Sequence, residues 1–391
     1  MKNKKAKSKR KTSFFKKLML FFNIIVALCL IVSYAAAYVS PDEYWFVAFF
    51  GIAYPLLLIA NIAFIIFWLI AKRKFALFSF VVILIGYNNL YHMVQSSRRY
   101  DTGELKNAIK VLSFNVRVFD IYHYLPAGKA GKKKWAYDFT NRNKIYNFLH
   151  REQPDIICFQ EYVHDATHSF NTTDTLKKFL LAKNCHFDYT VNSKNMNYFG
   201  IATYTKYPIL DTGRVEFATK SGNMCTYTDV KIDNEKVRIY NVHFESIHLE
   251  EEDYIFAENY AKSKHKKAEA DATTRSEKIL KRLKKAFIIR AAQSRVVAEH
   301  IKNCKYPIIL CGDFNDTPNS YVYHNVTSEL TDSFVESGNG FGQSYAGVYP
   351  SFRIDYIMHS KDFKSYNFET VNEEMSDHYP VKCYLKFNKE N

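Results

Sequence analysis

Apolar positions are distributed in two different ways along this chain. Residues 18–39, 45–70 and 75–94 are apolar almost without interruption, the last turning polar at Asn88, Asn89 and His92. A bilayer core is crossed by roughly 20 helical residues, so the pattern predicts three transmembrane helices. Trp45 and Trp68 fall near the two ends of the second, where interfacial aromatics belong. After a polar linker at 95–107 the rhythm changes to short runs with β-branched and aromatic residues, which predict strands at 109–116, 154–161, 186–192, 200–206, 209–219, 225–233, 236–244, 307–313, 354–359, 363–371 and 380–387. Between them, 141–152 has Ile145, Phe148 and Leu149 at helical spacing and is stopped by Pro154. Residues 247–303 contain neither Pro nor Gly and are rich in Glu, Lys and Ala, so they predict one or two long helices, with Ile279, Leu283, Phe287, Val297 and Ile301 as the apolar face. Many short strands, an early helix and a helical block midway predict an α+β layered sandwich over 108–391.

Charge changes this picture in one respect. The chain carries a net +15, but residues 1–104 hold fourteen Lys and Arg against four Asp and Glu, which leaves only +5 for the rest. Nine of those cations sit in the tail 1–17; the loop at 40–43 is acidic and the loop at 72–74 is basic. The positive-inside rule places the tail and the basic loop in the cytoplasm, and three spans then put the sandwich on the extracytoplasmic (periplasmic) side of an inner or plasma membrane. Arg98 and Arg99 oppose this and are outweighed by the tail. Ala35-Ala36-Ala37 resembles a signal-peptide cleavage site, but the apolar run before it is longer than such peptides use. The segment 262–285 inside the helical block (an insertion at about 247–290) is strongly basic, which fits either a solvated helix face or a surface for anionic lipid heads or a polyanion. The seven cysteines show no CxxC spacing and read as small core residues rather than a zinc site or a disulfide scaffold.

The candidate chemistry lies at strand ends. PIILCGDFN (307–315) is an apolar strand followed by Gly312, which lets the backbone turn so that Asp313 and Asn315 emerge together in a cleft. Asn115, Glu161 and His243 end other strands, Asp355 opens one, and Asp377 and His378 precede the last. Together these are the groups needed for metal-assisted phosphoester hydrolysis. A hard cation neutralises the ester, and Mg²⁺, with Mn²⁺ as the alternative, suits a carboxylate such as Glu161 better than a thiolate or imidazole set. Asp313 is placed to orient or deprotonate water, Asn115, Asn315 and a protonated His243 or His378 to meet charge on the phosphoryl oxygens, and Asp355 to support His378.

The ordered motifs SFNVR (113–117), FQE (159–161), GIATYTKYPI (200–209), NVHFE (241–245), GDFN (312–315), RIDYIM (353–358) and SDHYPV (376–381) resemble those of the endonuclease/exonuclease/phosphatase superfamily. The resemblance covers 109–387 and implies a four-layer αββα sandwich with its site at one edge of the two sheets. It implies Glu161, Asn115 and Asp377 at the metal. It also implies His243, Asn115, Asn315 and Tyr198 at the scissile phosphate, and Asp313 or His378, the latter paired with Asp355, as base. The long basic block and the apolar front depart from secreted and nuclear nucleases and resemble bacterial membrane-anchored members. The leading expectation is therefore a membrane-anchored Mg²⁺-dependent phosphoesterase acting on a phosphomonoester, phosphodiester or pyrophosphate, with a lipid-linked substrate favoured because the spans hold the site near the bilayer. The alternatives are a nuclease, which a sandwich of only +5 supports poorly, and an inactive binding module, which the complete acid, amide and histidine set disfavours.

Overall fold

The computed structural model describes residues 2–101, 103–125, 134–165, 172–192, 197–218, 222–247, 269–347 and 352–388. Two six-stranded sheets form its centre. The first contains β1 (Ile109–Asn115), β2 (Ile156–Asp165), β3 (Asn184–Asn192), β4 (Asn197–Thr205), β11 (Phe363–Thr370) and β12 (Val381–Phe387), in the order β11-β12-β1-β2-β4-β3. The second contains β5 (Ile209–Val215), β6 (Met224–Ile232), β7 (Glu235–His243), β8 (Ile308–Asp313), β9 (Thr331–Asp332) and β10 (Asp355–His359), in the order β9-β10-β8-β7-β6-β5.

Strand alternation builds the layers. Ile109 and Val111 of β1 meet Ile309 and Cys311 of β8 between the sheets, whereas Leu112 and Phe114 face outward onto Ile145, Phe148 and Leu149. Those three belong to a helix over Thr140–Glu152, and Leu176 joins them from Thr172–Phe179. On the other outer face Ile308 and Leu310 meet Val297 and Ile301 of the 34-residue helix Glu269–Lys302, with Val322 and Val326 of Tyr321–Thr327. The result is an αββα sandwich. The helical block is a single helix where it is described; 248–268, including part of the basic segment, lie outside the described residues. All seven cysteines are free, and Cys158, Cys311 and Cys383 are buried core residues.

The front of the chain packs as a small bundle. Phe14–Ala35 and Val47–Ala71 are long and apolar enough to cross a bilayer. The third predicted span is not one helix: it breaks at Gly86 into Ala76–Ile85 and Tyr87–Tyr91. Ten helical residues rise about 15 Å, half of a hydrocarbon core, so the described residues hold two helices of spanning length and not three. The two short pieces in succession carry the chain from Lys72–Lys74 back to His92 at the sandwich end. The Tyr34 ring lies where a side chain at position 86 would stand, so this position requires glycine. Inside the bundle Trp68 donates to Asn23 at 2.9 Å and Asn23 to Ser79 at 2.7 Å, which leaves no polar side chain of this trio unsatisfied. Outside, Leu56, Ile59, Ile70, Leu77 and Ile85 are exposed, as lipid-facing side chains are.

One end of this bundle seats the sandwich. Asn319 donates to the Ser33 carbonyl at 3.0 Å, Arg353 to the His92 carbonyl at 2.8 Å, and Arg295 pairs with Asp42 at 2.5 Å. Gly51 permits the contact, since a Cβ there would overlap the Asn319 carbonyl. At the other end Lys16 reaches the Ala71 carbonyl, next to Lys72–Lys74. The linker is tied down as well: Gln95–Ser96 pair with Asn339–Gly340, and Tyr100 and Asn367 exchange two hydrogen bonds of 2.8 Å.

Candidate active site

Register assembles the core of the site. β7 and β8 are parallel and end together, while β10 runs the opposite way and starts at the same edge. His243 is thereby level with Asp313, and Asp313 with Asp355, all three on inward-facing positions of adjacent strands. Gly312 works differently from the turn expected of it. It stays within β8, and a Cβ there would overlap Val242, so its role is the close approach of β7. The turn follows at Asn315, whose φ is +52°.

Asn115, ending β1 on the facing sheet, ties the sheets together. Its amide donates to Asp313 Oδ2 at 3.0 Å and to Glu161 Oε1 at 3.1 Å, and its Oδ1 accepts from the Arg117 amide at 3.0 Å. Asn115 therefore stands as a donor between two carboxylates, with one lone pair of its oxygen engaged by Arg117 and the second left over. Asn315 turns back on the same group: its backbone N–H donates to Asp313 Oδ1 at 2.8 Å and its side chain to the Phe244 carbonyl at 3.0 Å. From the loop before β12, His378 places Nδ1 2.9 Å from Asp355 Oδ2 and Nε2 3.8 Å from Asp313 Oδ2. His243 Nε2 lies 3.6 Å from Asp313 and 3.9 Å from Glu161, buried and without a hydrogen bond. Asp355 Oδ1 is also buried and unbonded. Buried polar atoms left unpaired are costly, and their concentration here points to a ligand.

The electrostatics follow from the geometry. Burial pushes the Asp313 carboxyl above its usual range, against the pull of His378. For His378 burial works against the cation, but Asp355 and then Asp313 outweigh it and hold the imidazole well above its ordinary value. His378 thus lies between two carboxyl groups that favour its charged form.

Asp313, Asp355 and His378 also form a buried set of metal-capable donors whose atoms lie within 4.8 Å of one another. The His378–Asp355 hydrogen bond engages two of those donors with each other, however, and a hard cation prefers oxygens with room for water. Glu161 offers that: it sits at a bulge with φ +49° and is about one-third exposed. Asp377, similarly exposed, lies 3.6 Å from Arg117. These oxygen donors fit a divalent hard metal.

Tyr198 pairs across the sheet with His164, three residues after Glu161, and its ring packs on Tyr189 and His164. Several residues that touch the site were not predicted. Gln160 and Asn241 join their amides at 2.8 Å behind the site, and Asn241 donates across to the Phe159 and Ala202 carbonyls. Ser344 Oγ accepts from the Asp355 amide at 2.9 Å, and the Tyr345 ring stands against His378 at 5.4 Å. Gln160 and Asn241 were visible as polar residues at core positions of strands, whereas 317–350 reads only as loop.

A two-sheet sandwich with this cluster at one edge defines a phosphoester hydrolase of the endonuclease/exonuclease/phosphatase type. Residues 112–378 match the model of the Endonuclease/Exonuclease/phosphatase family, and the chain belongs to that family. Residues 16–93 match a family described only as a domain of unknown function. Among solved structures, an endonuclease/exonuclease/phosphatase from Bacteroides vulgatus is 17% identical, with a TM-score of 0.50 over 72% of this chain and 100% of that one. The human Nocturnin catalytic domain with bound sulfate is 18% identical, with a TM-score of 0.49 over 75% of this chain and 97% of that one. A mannosyl-6-phosphatase from Bacteroides thetaiotaomicron is 17% identical, with a TM-score of 0.44 over 71% and 100%. Comparison with curated proteins finds no match.

Proposed function

We propose that this chain is a membrane-anchored, Mg²⁺-dependent phosphoesterase that cleaves a phosphomonoester, phosphodiester or pyrophosphate bond of a lipid-linked substrate on the extracytoplasmic face. The observation that carries the chemistry is the convergence of Asp313, His378 with Asp355, His243, Asn115 and Glu161 at one sheet edge. Asp313, held by three N–H donors, orients the attacking water and takes its proton. His243 Nε2, which has no hydrogen-bond partner among the described residues, donates to a phosphoryl oxygen. The His378 imidazolium faces the developing charge while Asp355 fixes its ring. Mg²⁺, held by Glu161 and Asp377, supplies positive charge against the phosphoryl oxygens when bound.

The choice of a lipid rests on the seating of the sandwich directly on the bundle end. The choice of side rests on the separation between that end and the basic residues Lys16 and Lys72–Lys74, which the positive-inside rule retains in the cytoplasm. The helix Glu269–Lys302 also brings Lys284 over the Trp45 ring at 5.0 Å, at the level of the membrane surface.

The test is a panel of lipid phosphates and pyrophosphates, sphingomyelin, plasmid and abasic oligonucleotide. It is run with the full chain with and without EDTA, beside Asp313→Asn and with alkaline-phosphatase fusions after Asn391. Chelator-sensitive hydrolysis of a lipid ester, lost in Asp313→Asn, with active fusions, is expected. Cleavage confined to nucleic acid overturns the substrate class, and inactive fusions overturn the side.

A further inference from the structure

A cavity of about 480 Å³ lies where the bundle meets the sandwich, within the range of ligand-sized pockets. Its walls are mainly hydrocarbon and aromatic: Ile52, Ala53 and Leu56 from the second spanning helix, Phe341 and Phe352 from the sandwich. Among the polar residues on its walls, Thr317 Oγ1 and Arg353 Nε are buried without a hydrogen bond among the described residues, and other groups are turned onto partners. Asn89 donates to Asn319, Asn319 donates to the Ser33 carbonyl, and the terminal nitrogens of Arg353 go to Asp332 and the His92 carbonyl. A wall of this kind recognises hydrocarbon and offers a charged group little.

The mouth and the walls of the cavity identify the occupant. Ile52, Leu56 and Ile59 share one face of the helix by their i, i+4, i+7 spacing. Leu56 is 71% exposed and Ile59 62%, so this face passes from the cavity directly onto the lipid-facing surface of the helix. Two chain segments of the cavity wall also run into the catalytic cluster. Thr317 lines it two residues after Asn315. Gln343 lines it beside Ser344, which holds the Asp355 amide, and Tyr345, which stands against His378.

We infer that this cavity receives one hydrocarbon chain of a phosphate-bearing lipid, drawn from the bilayer along Ile59, Leu56 and Ile52, so that the head group is delivered to the Asp313–His378 cluster. The inference deepens the lipid reading of the preceding subsection and rests on it. It also explains why the sandwich is docked tightly at Gly51 and not held on a free linker: a tail pocket shared between a membrane helix and a catalytic domain requires a fixed junction.

The probe is dioleoyl phosphatidic acid with a diazirine in one acyl chain, presented to the full chain in phosphatidylcholine nanodiscs. Photolabel is expected on residues 49–56 and on 341–343 or 352. Ala53→Trp fills the cavity and is expected to reduce labelling of the sandwich residues at least fivefold. It is also expected to lower kcat/KM for the dioleoyl lipid at least tenfold more than for soluble dihexanoyl phosphatidic acid. Leu56→Asn, at an already exposed mouth position, keeps the test open if the tryptophan variant misfolds, with an expected threefold change in the same ratio. Sandwich labelling that persists in both variants, or a chain-length preference that neither alters, overturns the pocket while leaving the phosphoesterase reading standing. Cavity labelling without Asp313-dependent hydrolysis of any lipid phosphate overturns the lipid-substrate reading while leaving the pocket standing.

Discussion

Asp313 and Asp229 are both shielded from solvent, on strands of the same sheet, yet the chain treats them in opposite ways. Asp229, on β6, accepts from Arg238 Nε at 2.6 Å and Nη2 at 2.7 Å, and Lys236 lies 2.8 Å away. Burial raises its carboxyl, but Arg238 and Lys236 more than offset this and the group is held below its usual value. Asp313 has no Arg or Lys against it among the described residues; its neighbours are amides and two histidines, and burial outweighs their pull and pushes its carboxyl up. A buried carboxylate closed by bidentate Arg is scaffold, whereas one left beside unbonded His243 Nε2 and Asp355 Oδ1 is poised for a ligand. The contrast separates structure from chemistry within a single sheet.

Exchanging roles at these two positions tests that contrast. Asp313→Asn keeps the shape of the site and removes its base, so kcat should fall by about 10³-fold, within the range for loss of a general base. The melting temperature of the full chain in detergent should change little; undiminished turnover would remove Asp313 from the mechanism. Asp229→Ala should do the reverse. It strands the Arg238 and Lys236 charges and should cost about 3 kcal/mol of stability by denaturant titration, with turnover per folded molecule retained. Acid separates the same two residues. A depressed carboxyl stabilises the fold above its unfolded value, near 3.8, and that increment disappears as pH falls through the lower folded value. Melting temperature should therefore fall more steeply with acid in the wild type than in Asp229→Asn. The smallest effect belongs to Ser344→Ala. Losing the acceptor for the Asp355 amide loosens the His378–Asp355 pair by about 1.4 kcal/mol, roughly tenfold in kcat, with KM little affected.

Much of this was legible in the residues. Strand periodicity exposes the inward positions of β1, β7, β8 and β10, and a polar group at the end of each stands out against its apolar partners. Gly312 and Asn115 were recognisable as special but not as what they do. Val242 lies 70 residues from Gly312 in the chain, and which way an amide faces depends on Arg117 and two carboxylates from other strands.

The sequence by itself determined the class of fold, the residue types available for phosphate chemistry and the presence of apolar helices, because each depends on local periodicity and side-chain chemistry. Only the tertiary structure decided that the Tyr34 ring packs onto Gly86, that His378 and Asp355 brace one another, and that a helix face and two loops line a largely apolar cavity. Those are contacts between segments far apart in the chain, and such contacts are set by packing rather than by any local pattern.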